Sequence, residues 1–148
     1  METKAKLEQA LKDAMRAGDD VTKRTVRMAL AAIRHTEIDK QVSLEENAVL
    51  GILQKEIKTR RESVEEASRA NRPDIVADTQ AEIKVLEAYL PAALSADELN
   101  ALAAAAIAEV GAASPADLGK VMKVLMPRVA GRATGEQVSA AVRSLLQK

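Results

Sequence analysis

The sequence predicts an all-α protein on three observations. Of its 148 residues, 47% are hydrophobic and 30% are charged, so the chain can bury a core and expose a charged surface. Phe and Trp are absent and Tyr89 is the only aromatic residue, so the core must consist of Ala, Leu, Val, Ile and Met, which favours helices over strands. Apolar residues also recur at helical spacing. We therefore expect an N-terminal bundle of about four helices, followed by a small three-helix C-terminal domain.

The first two helices are predicted from periodicity and stop signals. Apolar residues repeat at helical spacing over residues 3–17, until Gly18 supplies a stop. Asp19 or Asp20 can cap a second helix, which we expect to run to about Lys40. Its inward face is predicted to consist of apolar residues on one side: Val26, Leu30, Ile33 and Ile38.

The next two helices are bounded by capping residues and prolines. A third helix is expected to begin at Ser43, because Ser43 and Glu46 have the three-residue spacing of a capping box. It can continue to Ala70, since nothing in between breaks it. Pro73 suits the first turn of a fourth helix, which is expected to continue until Pro91 ends it.

The best domain boundary is the short stretch from Pro91 to Ser95. A proline stop is followed there by a second capping box, formed by Ser95 and Glu98. This boundary predicts an N-terminal helical domain over residues 1–91 and a second domain over residues 95–148. Three helices are expected in the second domain, at about 96–110, 115–126 and 135–147.

Local signals punctuate these last helices. Ser114 with Pro115 is typical of a helix start, and Pro127 is expected to end the same helix. Thr134 and Gln137 have the spacing of a further capping box at the start of the last helix.

Charge is unevenly distributed along the chain. The formal net charge is zero, which argues against a protein that binds nucleic acid over its whole surface. Residues 115–148, however, hold six basic residues against the two acidic residues Asp117 and Glu136, a net charge of +4. Cations and glycines near one helix start suggest a phosphate site, whose candidate residues are Lys120, Lys123, Arg128, Gly131, Arg132 and Gly135. The alternative is a capped turn with solvated cations.

A second basic stripe lies in the N-terminal half. Lys23, Arg27 and Arg34 lie along one side of the second helix, and Lys58 lies on the third. The stripe could present charge to an acidic protein partner, or it could be a solvated face laced with ion pairs.

The sequence offers little for catalysis or metal binding. It contains no Cys and a single histidine, His35, so a thiolate site and a paired-histidine zinc site are both excluded. It also lacks the nucleophile elbow and the phosphate-binding loop of well-known enzyme classes. We therefore expect no catalytic residue, no metal site and no cofactor.

Other properties follow from what the chain lacks. The N-terminal residues are charged and no run approaches the roughly 20 apolar residues of a membrane span, so we expect a cytoplasmic protein without a membrane contact. With one aromatic residue, base stacking is limited, so an RNA contact would read the backbone and shape. Sequence-specific DNA binding is not expected.

A resemblance to known proteins is carried by five segments of the chain: residues 23–28, 53–63, 89–91, 118–123 and 131–133. Through these segments the whole chain resembles the YqeY family, and its C-terminal part resembles the tail domain of the GatB subunit of the tRNA-dependent amidotransferase. This resemblance implies an N-terminal helical bundle followed by a three-helix module. Because the related GatB tail engages tRNA, the resemblance also implies RNA contacts at Lys120, Lys123, Arg132 and the turn at Gly131. Thr134 departs from the family pattern, where Asp is common.

Three functions are open at this stage. The first is a non-catalytic accessory protein that binds tRNA or another structured RNA through its C-terminal domain. The second is a protein-interaction adaptor. The third is a substrate-binding component related to glutamine-dependent amidotransferases, which are carbon–nitrogen ligases; the sequence has neither an amidase Ser-Ser-Lys arrangement nor a glutaminase Cys.

Overall fold

The computed structural model describes residues 2–147, and these residues form helices and connecting turns without any strand. The prediction of an all-α protein is confirmed. The elements in chain order are α1 (Thr3–Ala17), α2 (Asp20–Lys40), α3 (Glu46–Arg69), α4 (Pro73–Glu87), α5 (Ala96–Val110), a short 3-10 helix (Pro115–Asp117), α6 (Leu118–Val129) and α7 (Gly135–Leu146).

The chain divides into two compact units, one up to Leu90 and one from Pro91 onward. Each unit has its own apolar cluster. Compactness alone does not show that a unit folds by itself. The ranges 1–91 and 95–148 as separate domains, and the four-plus-three bundle arrangement, therefore stay predictions.

The core of the first unit is built from the apolar faces of α1, α2, α3 and α4. Its most deeply buried members are fully shielded from solvent: Leu7, Val26, Ile33, Leu53 and Leu86. One residue predicted to face inward does not do so, since Ile38 is 67% exposed. Ile38 lies in the last turn of α2, beyond Ile33, the last buried residue of that helix, so the prediction was wrong there.

The core of the second unit lies between α5, α6 and α7. Small residues of α5, Ala103 and Ala106, are fully buried, which lets the other two helices approach closely. The larger side chains that are fully buried come from α6 and α7: Val121, Leu125, Val129, Val138 and Val142.

Most predicted helix ends agree with the structure. Gly18 has φ 69°, the left-handed conformation of a C-terminal stop. The Asp19 side chain accepts a hydrogen bond from the Thr22 N–H at 3.1 Å, which caps α2. Both later capping boxes are present, one at Ser95 and one at Thr134.

The predicted capping box at Ser43 is wrong. Helix α3 begins at Glu46, and no side chain caps it. The Glu46 carboxylate instead accepts hydrogen bonds from the Thr3 hydroxyl and from the Thr3 N–H, the latter at 3.0 Å. Thr3 is the first residue of α1, so Glu46 satisfies an unpaired donor of a helix 43 residues away in sequence.

Two further helix ends differ from the prediction. Helix α4 stops at Glu87, and the chain then tightens, with the Leu90 N–H donating to the Glu87 carbonyl at 3.1 Å. A residue before proline avoids the helical region, which explains this early end before Pro91. Helix α6 passes through Pro127 to Val129, because a proline in the last turn forfeits only one hydrogen bond while Val129 is fully buried.

The start of α6 also differs. Pro115 opens a 3-10 turn, and α6 itself begins at Leu118. The Ser114 side chain makes no capping hydrogen bond. The Asp117 carboxylate accepts a hydrogen bond from the Ala113 N–H at 3.0 Å, which joins the end of the 3-10 turn to the segment before it.

Candidate functional site

The two predicted lysines of α6 lie on its solvent-exposed face. The opposite face carries the buried residues Val121, Leu125 and Val129. Lys120 is 75% exposed, and its Nζ lies 4.0 Å from Asp117 Oδ1, at the limit of an ion pair. Lys123 is also exposed, and it has no ion-pair partner within residues 2–147. The outward face of α6 thus presents two lysines three residues apart.

The two predicted arginines are engaged within the second unit. Arg128 forms an ion pair with Glu109 near the end of α5. Arg132 donates from Nε to the Ala92 carbonyl at 2.8 Å, and its guanidinium lies 3.6 Å from the Glu98 carboxylate. The Arg132 carbonyl in turn accepts a hydrogen bond from the Leu94 N–H at 2.9 Å. Arg132 therefore holds the segment before α5 against the turn before α7.

The glycine turn between α6 and α7 has the conformation that glycine favours, with φ 79° at Gly131. Gly135 is the first residue of α7 and follows the capping residue Thr134. The capping box engages two N–H groups there, because the Thr134 N–H donates to Gln137 Oε1 at 3.0 Å and the Gln137 N–H donates to Thr134 Oγ1 at 3.2 Å. The acidic Glu136 also lies in this first turn. An anion would find fewer available donors here than the sequence suggested.

More basic residues of the second unit form ion pairs than the net charge of +4 over residues 115–148 suggested. The acidic residues that pair with Arg128 and Arg132 come from α5, outside that range. Asp117 accepts hydrogen bonds from the backbone N–H groups of Ala113 and Ser114, and Lys120 lies nearby; together these lower the pKa of its carboxyl. The carboxylate near Lys120 is therefore charged at neutral pH.

The residues of the second basic stripe have different surroundings in the structure. Arg27 and Arg34 line the same groove between α1 and α2. Lys23 lies 3.6 Å from Asp20, with which it forms an ion pair. Lys58 lies on α3 and does not line that groove.

A buried charge cluster in the first unit was missed by sequence reasoning. The Arg60 side chain is only 8% exposed, and its guanidinium donates to the Glu56 carboxylate at 2.8 Å and to Glu82 at 3.4 Å. Glu82 also lies 3.9 Å from Arg24. This cluster joins α2, α3 and α4. The four-residue spacing of Glu56 and Arg60 was a visible signal, but it did not reveal that Arg60 is buried.

Residues 2–147 also bear on metal binding and on membrane crossing. Within residues 2–147, no group of three or more His, Cys, Asp or Glu side chains could hold a metal ion. No single helix of this range is long and apolar enough to cross a membrane. Only as a pair do helix α5 and the segment Pro115–Val129 have the length and the apolar composition of a membrane span. The chain bends by 92° at the break between them. Both contribute buried residues to the core of the second unit.

Comparison with known proteins identifies the family. The family described as Yqey-like protein matches residues 4–146. The chain belongs to the YqeY-like family. This match confirms the resemblance to the YqeY family that the five sequence segments indicated. It spans both structural units of the chain.

Similar proteins of this family occur in fungi. The chain is 39% identical over 109 residues to a protein of Eremothecium gossypii named "Altered inheritance of mitochondria protein 41, mitochondrial", with 72% of the chain and 60% of that protein covered. A protein of the same name from Lachancea thermotolerans is 38% identical over 61% of the chain and 49% of its own length. A third, from Pyrenophora tritici-repentis, is 30% identical over 95% of the chain and 79% of its own length.

These relatives correct one prediction and limit others. Each is named as a mitochondrial protein, so the prediction of a cytoplasmic location is wrong. The chain spans 60% of the length of the Eremothecium protein and 49% of the length of the Lachancea protein. Their names state no enzymatic activity and no ligand.

Proposed function

We propose that this YqeY-like protein is a non-catalytic accessory protein that binds tRNA or another structured RNA through its second unit. The observation that carries the proposal is the outward face of α6, where Lys120 and Lys123 are both exposed. Cations at helical spacing on a rigid, well-packed helix suit contact with successive phosphates. The resemblance of this part of the chain to the GatB tail supports RNA as the source of these phosphates.

Arg128 and Arg132 have a different part in this proposal. Their ion pairs with Glu109 and Glu98 hold α5 against α6 and against the turn before α7. They position the lysine-bearing helix, and Lys120 and Lys123 make the phosphate contacts. Gly131 and Gly135 stay candidate RNA contacts beside Lys120 and Lys123.

The test is binding of deacylated tRNA across a salt series, with duplex DNA of equal charge as the competitor. We expect tighter binding to tRNA than to the duplex. The double variant Lys120→Glu, Lys123→Glu should bind more weakly and reduce the slope of log K against log salt by about 1–2, since each lost phosphate contact removes about 0.7–0.9 from the slope.

A matched control separates a local contact from a change in net charge. The variant Lys6→Glu, Lys55→Glu changes the same number of charges on exposed residues of α1 and α3. It should bind tRNA nearly as well as the unmodified chain. Equal losses in the two double variants would refute α6 as the RNA contact.

The amidotransferase alternative makes a different prediction. A substrate-binding component of such an enzyme would form a stable complex with a glutaminase subunit. Co-purification of the two would support it, and tRNA binding without any such complex would favour the accessory function. The protein-interaction alternative rests on the first unit.

A further inference from the structure

A groove of about 380 Å³ lies between α1 and α2 in the first unit. Its floor is apolar and consists of Leu11 from α1 with Leu30 and Ala31 from α2. Ala31 is exposed, and the two leucines are partly buried. A shallow apolar floor between two helices is the shape that accepts a third helix.

Two arginines form one wall of the groove. Arg27 and Arg34 are seven residues apart on α2, which places them on the same face with Cα atoms about 10.5 Å apart. The Arg27 guanidinium contacts the Met15 sulfur at 3.9 Å. Neither arginine has an ion-pair partner within the part of the chain that the structure describes. Both can therefore bind carboxylates of another molecule.

The acidic residue at the end of the groove is already engaged. Glu37 forms an ion pair with Lys4 at 2.8 Å and accepts a hydrogen bond from the Leu44 N–H at 3.0 Å. Its charge also interacts with that of Arg34, three residues before it on α2, so Glu37 offsets part of the charge at one end of the arginine wall. The second acidic residue, Glu8, belongs to α1, on the opposite side of the groove.

Exposed apolar side chains border the same surface. Met15 is 55% exposed beside Arg27, and Ile38 is 67% exposed four residues after Arg34, on the same face of α2. A phosphate backbone would leave both apolar side chains in water. A protein partner would cover the apolar side chains and pair with the arginines, which favours a protein over RNA at this surface.

We propose that this groove binds an acidic amphipathic helix of a partner protein. Two carboxylates placed two turns apart on that helix pair with Arg27 and Arg34, and an apolar side chain between them packs on Leu11 and Ala31. Arginine suits this role because its planar guanidinium binds a carboxylate through two parallel hydrogen bonds. The site lies in the first unit and shares no residue with the proposed RNA contact.

The probe for this proposal is a synthetic helical peptide of about 18 residues, or about five turns. It carries two Glu residues seven positions apart with Leu between them, and its binding to the full chain is measured by fluorescence anisotropy. The variant Arg27→Glu, Arg34→Glu should bind at least about tenfold more weakly, and the control Lys6→Glu, Lys55→Glu should bind within about twofold of the unmodified chain. The uncharged variant Ala31→Gln, which obstructs the floor, should also weaken binding.

Four results would overturn the proposal. The unmodified chain would not bind the peptide, or a peptide with Gln in place of both Glu residues would bind equally well. tRNA would displace the peptide at equal charge, showing a general anion site. A dimer of this chain that is lost in the Arg27→Glu, Arg34→Glu variant would assign the groove to a second copy. Displacement by tRNA would also indicate an RNA contact in the first unit. The other three results leave the RNA proposal unaffected, because Lys120 and Lys123 are unchanged throughout.

Discussion

At the scale of single residues, the buried Arg60 is the least expected feature of the first unit. Its guanidinium lies between the carboxylates of Glu56 and Glu82, and it also contacts the Met28 sulfur at 3.6 Å. Arginine is rarely buried unless it is paired. Since its partners come from two helices, Arg60 ties α3 to α4 and, through Arg24 and Glu82, to α2.

Replacing Arg60 should therefore destabilise the protein more than replacing its neighbour. Arg60→Met removes the charge, leaves the Glu56 carboxylate without this partner and leaves Glu82 with the more distant Arg24, which should lower the free energy of unfolding by about 2–4 kcal/mol. The matched control is Arg61→Met, because Arg61 is 61% exposed and pairs with Glu87 at 2.9 Å. That exposed pair should contribute about 0.2–1 kcal/mol. Urea unfolding measures both, and equal losses would show that Arg60 is not a structural centre.

At the scale of the elements, two glutamates connect the start of the chain to later helices. Glu37 in α2 binds Lys4 of α1 and the Leu44 N–H. Glu46 at the start of α3 binds the backbone and the hydroxyl of Thr3. Both hold the first turn of α1, so the N-terminus of the first unit is fixed by side chains from α2 and α3.

The Glu37 link predicts a specific pH dependence. The hydrogen bond from Lys4, aided by the Leu44 N–H, lowers the pKa of Glu37 from its ordinary value of 4.5. A carboxyl whose pKa is lower in the folded state than in the unfolded state stabilises the folded state at pH values above the unfolded-state pKa. This contribution is lost as the pH falls through the folded-state pKa. Glu37→Gln should therefore be less stable than the unmodified chain near neutral pH, and the two should converge in acid.

Urea midpoints measured from about pH 7 to about pH 3 would show this convergence. The variant Lys4→Met provides the control, because it removes the largest cause of the lowered pKa while keeping the carboxyl. It should reduce the same pH dependence. A difference between Glu37→Gln and the unmodified chain that persists unchanged into acid would contradict the assignment.

The hydrogen bonds from Thr3 to Glu46 predict how the protein responds when a helix loses a cap supplied by another helix. Glu46→Ala leaves the Thr3 N–H without its acceptor, at a site where Thr3 is only 5% exposed. Loss of such a cap should reduce stability by about 0.5–2 kcal/mol. Amide hydrogen exchange should increase in the first turn of α1. Glu45→Ala, at the exposed neighbouring position, should change neither quantity appreciably.

At the scale of the whole molecule, two separate apolar clusters predict separate responses to core mutations. Leu125 is fully buried in the cluster of the second unit. Leu125→Ala should reduce the stability of that unit by about 2–5 kcal/mol, because a buried cavity remains. Amide exchange should accelerate in α5, α6 and α7 while α1 to α4 remain protected. Equal acceleration in both units would show that they unfold as one.

Much of the helical organisation was accessible from the sequence. Periodicity and local capping signals identified every long helix, and Gly18, Ser95 and Thr134 ended or began helices as predicted. These signals act over three or four residues, so they need no knowledge of tertiary contacts. The Ser43 signal failed because a distant residue competed: Thr3 engages the carboxylate that the local pattern assigned to Ser43.

Only part of each candidate site could be predicted from the sequence. Sequence located Lys120 and Lys123 on one helix face, because their three-residue spacing determines their relative direction. It could not show that Arg128 and Arg132 pair with Glu109 and Glu98, since those partners lie outside the basic segment. The same applies to the groove, where α1 supplies Leu11 beside Arg27 and Arg34 of α2.

The sequence by itself determined the helical class, the approximate extent of the helices and the family of this protein, because helix formation and capping depend on residues close together along the chain. Only the tertiary structure decided which charges are paired, which apolar residues stay exposed and where a groove lies. Those properties depend on residues tens of positions apart, such as Thr3 with Glu46 and Arg60 with Glu82. Packing, which buries Arg60 and exposes Ile38, cannot be deduced from periodicity alone.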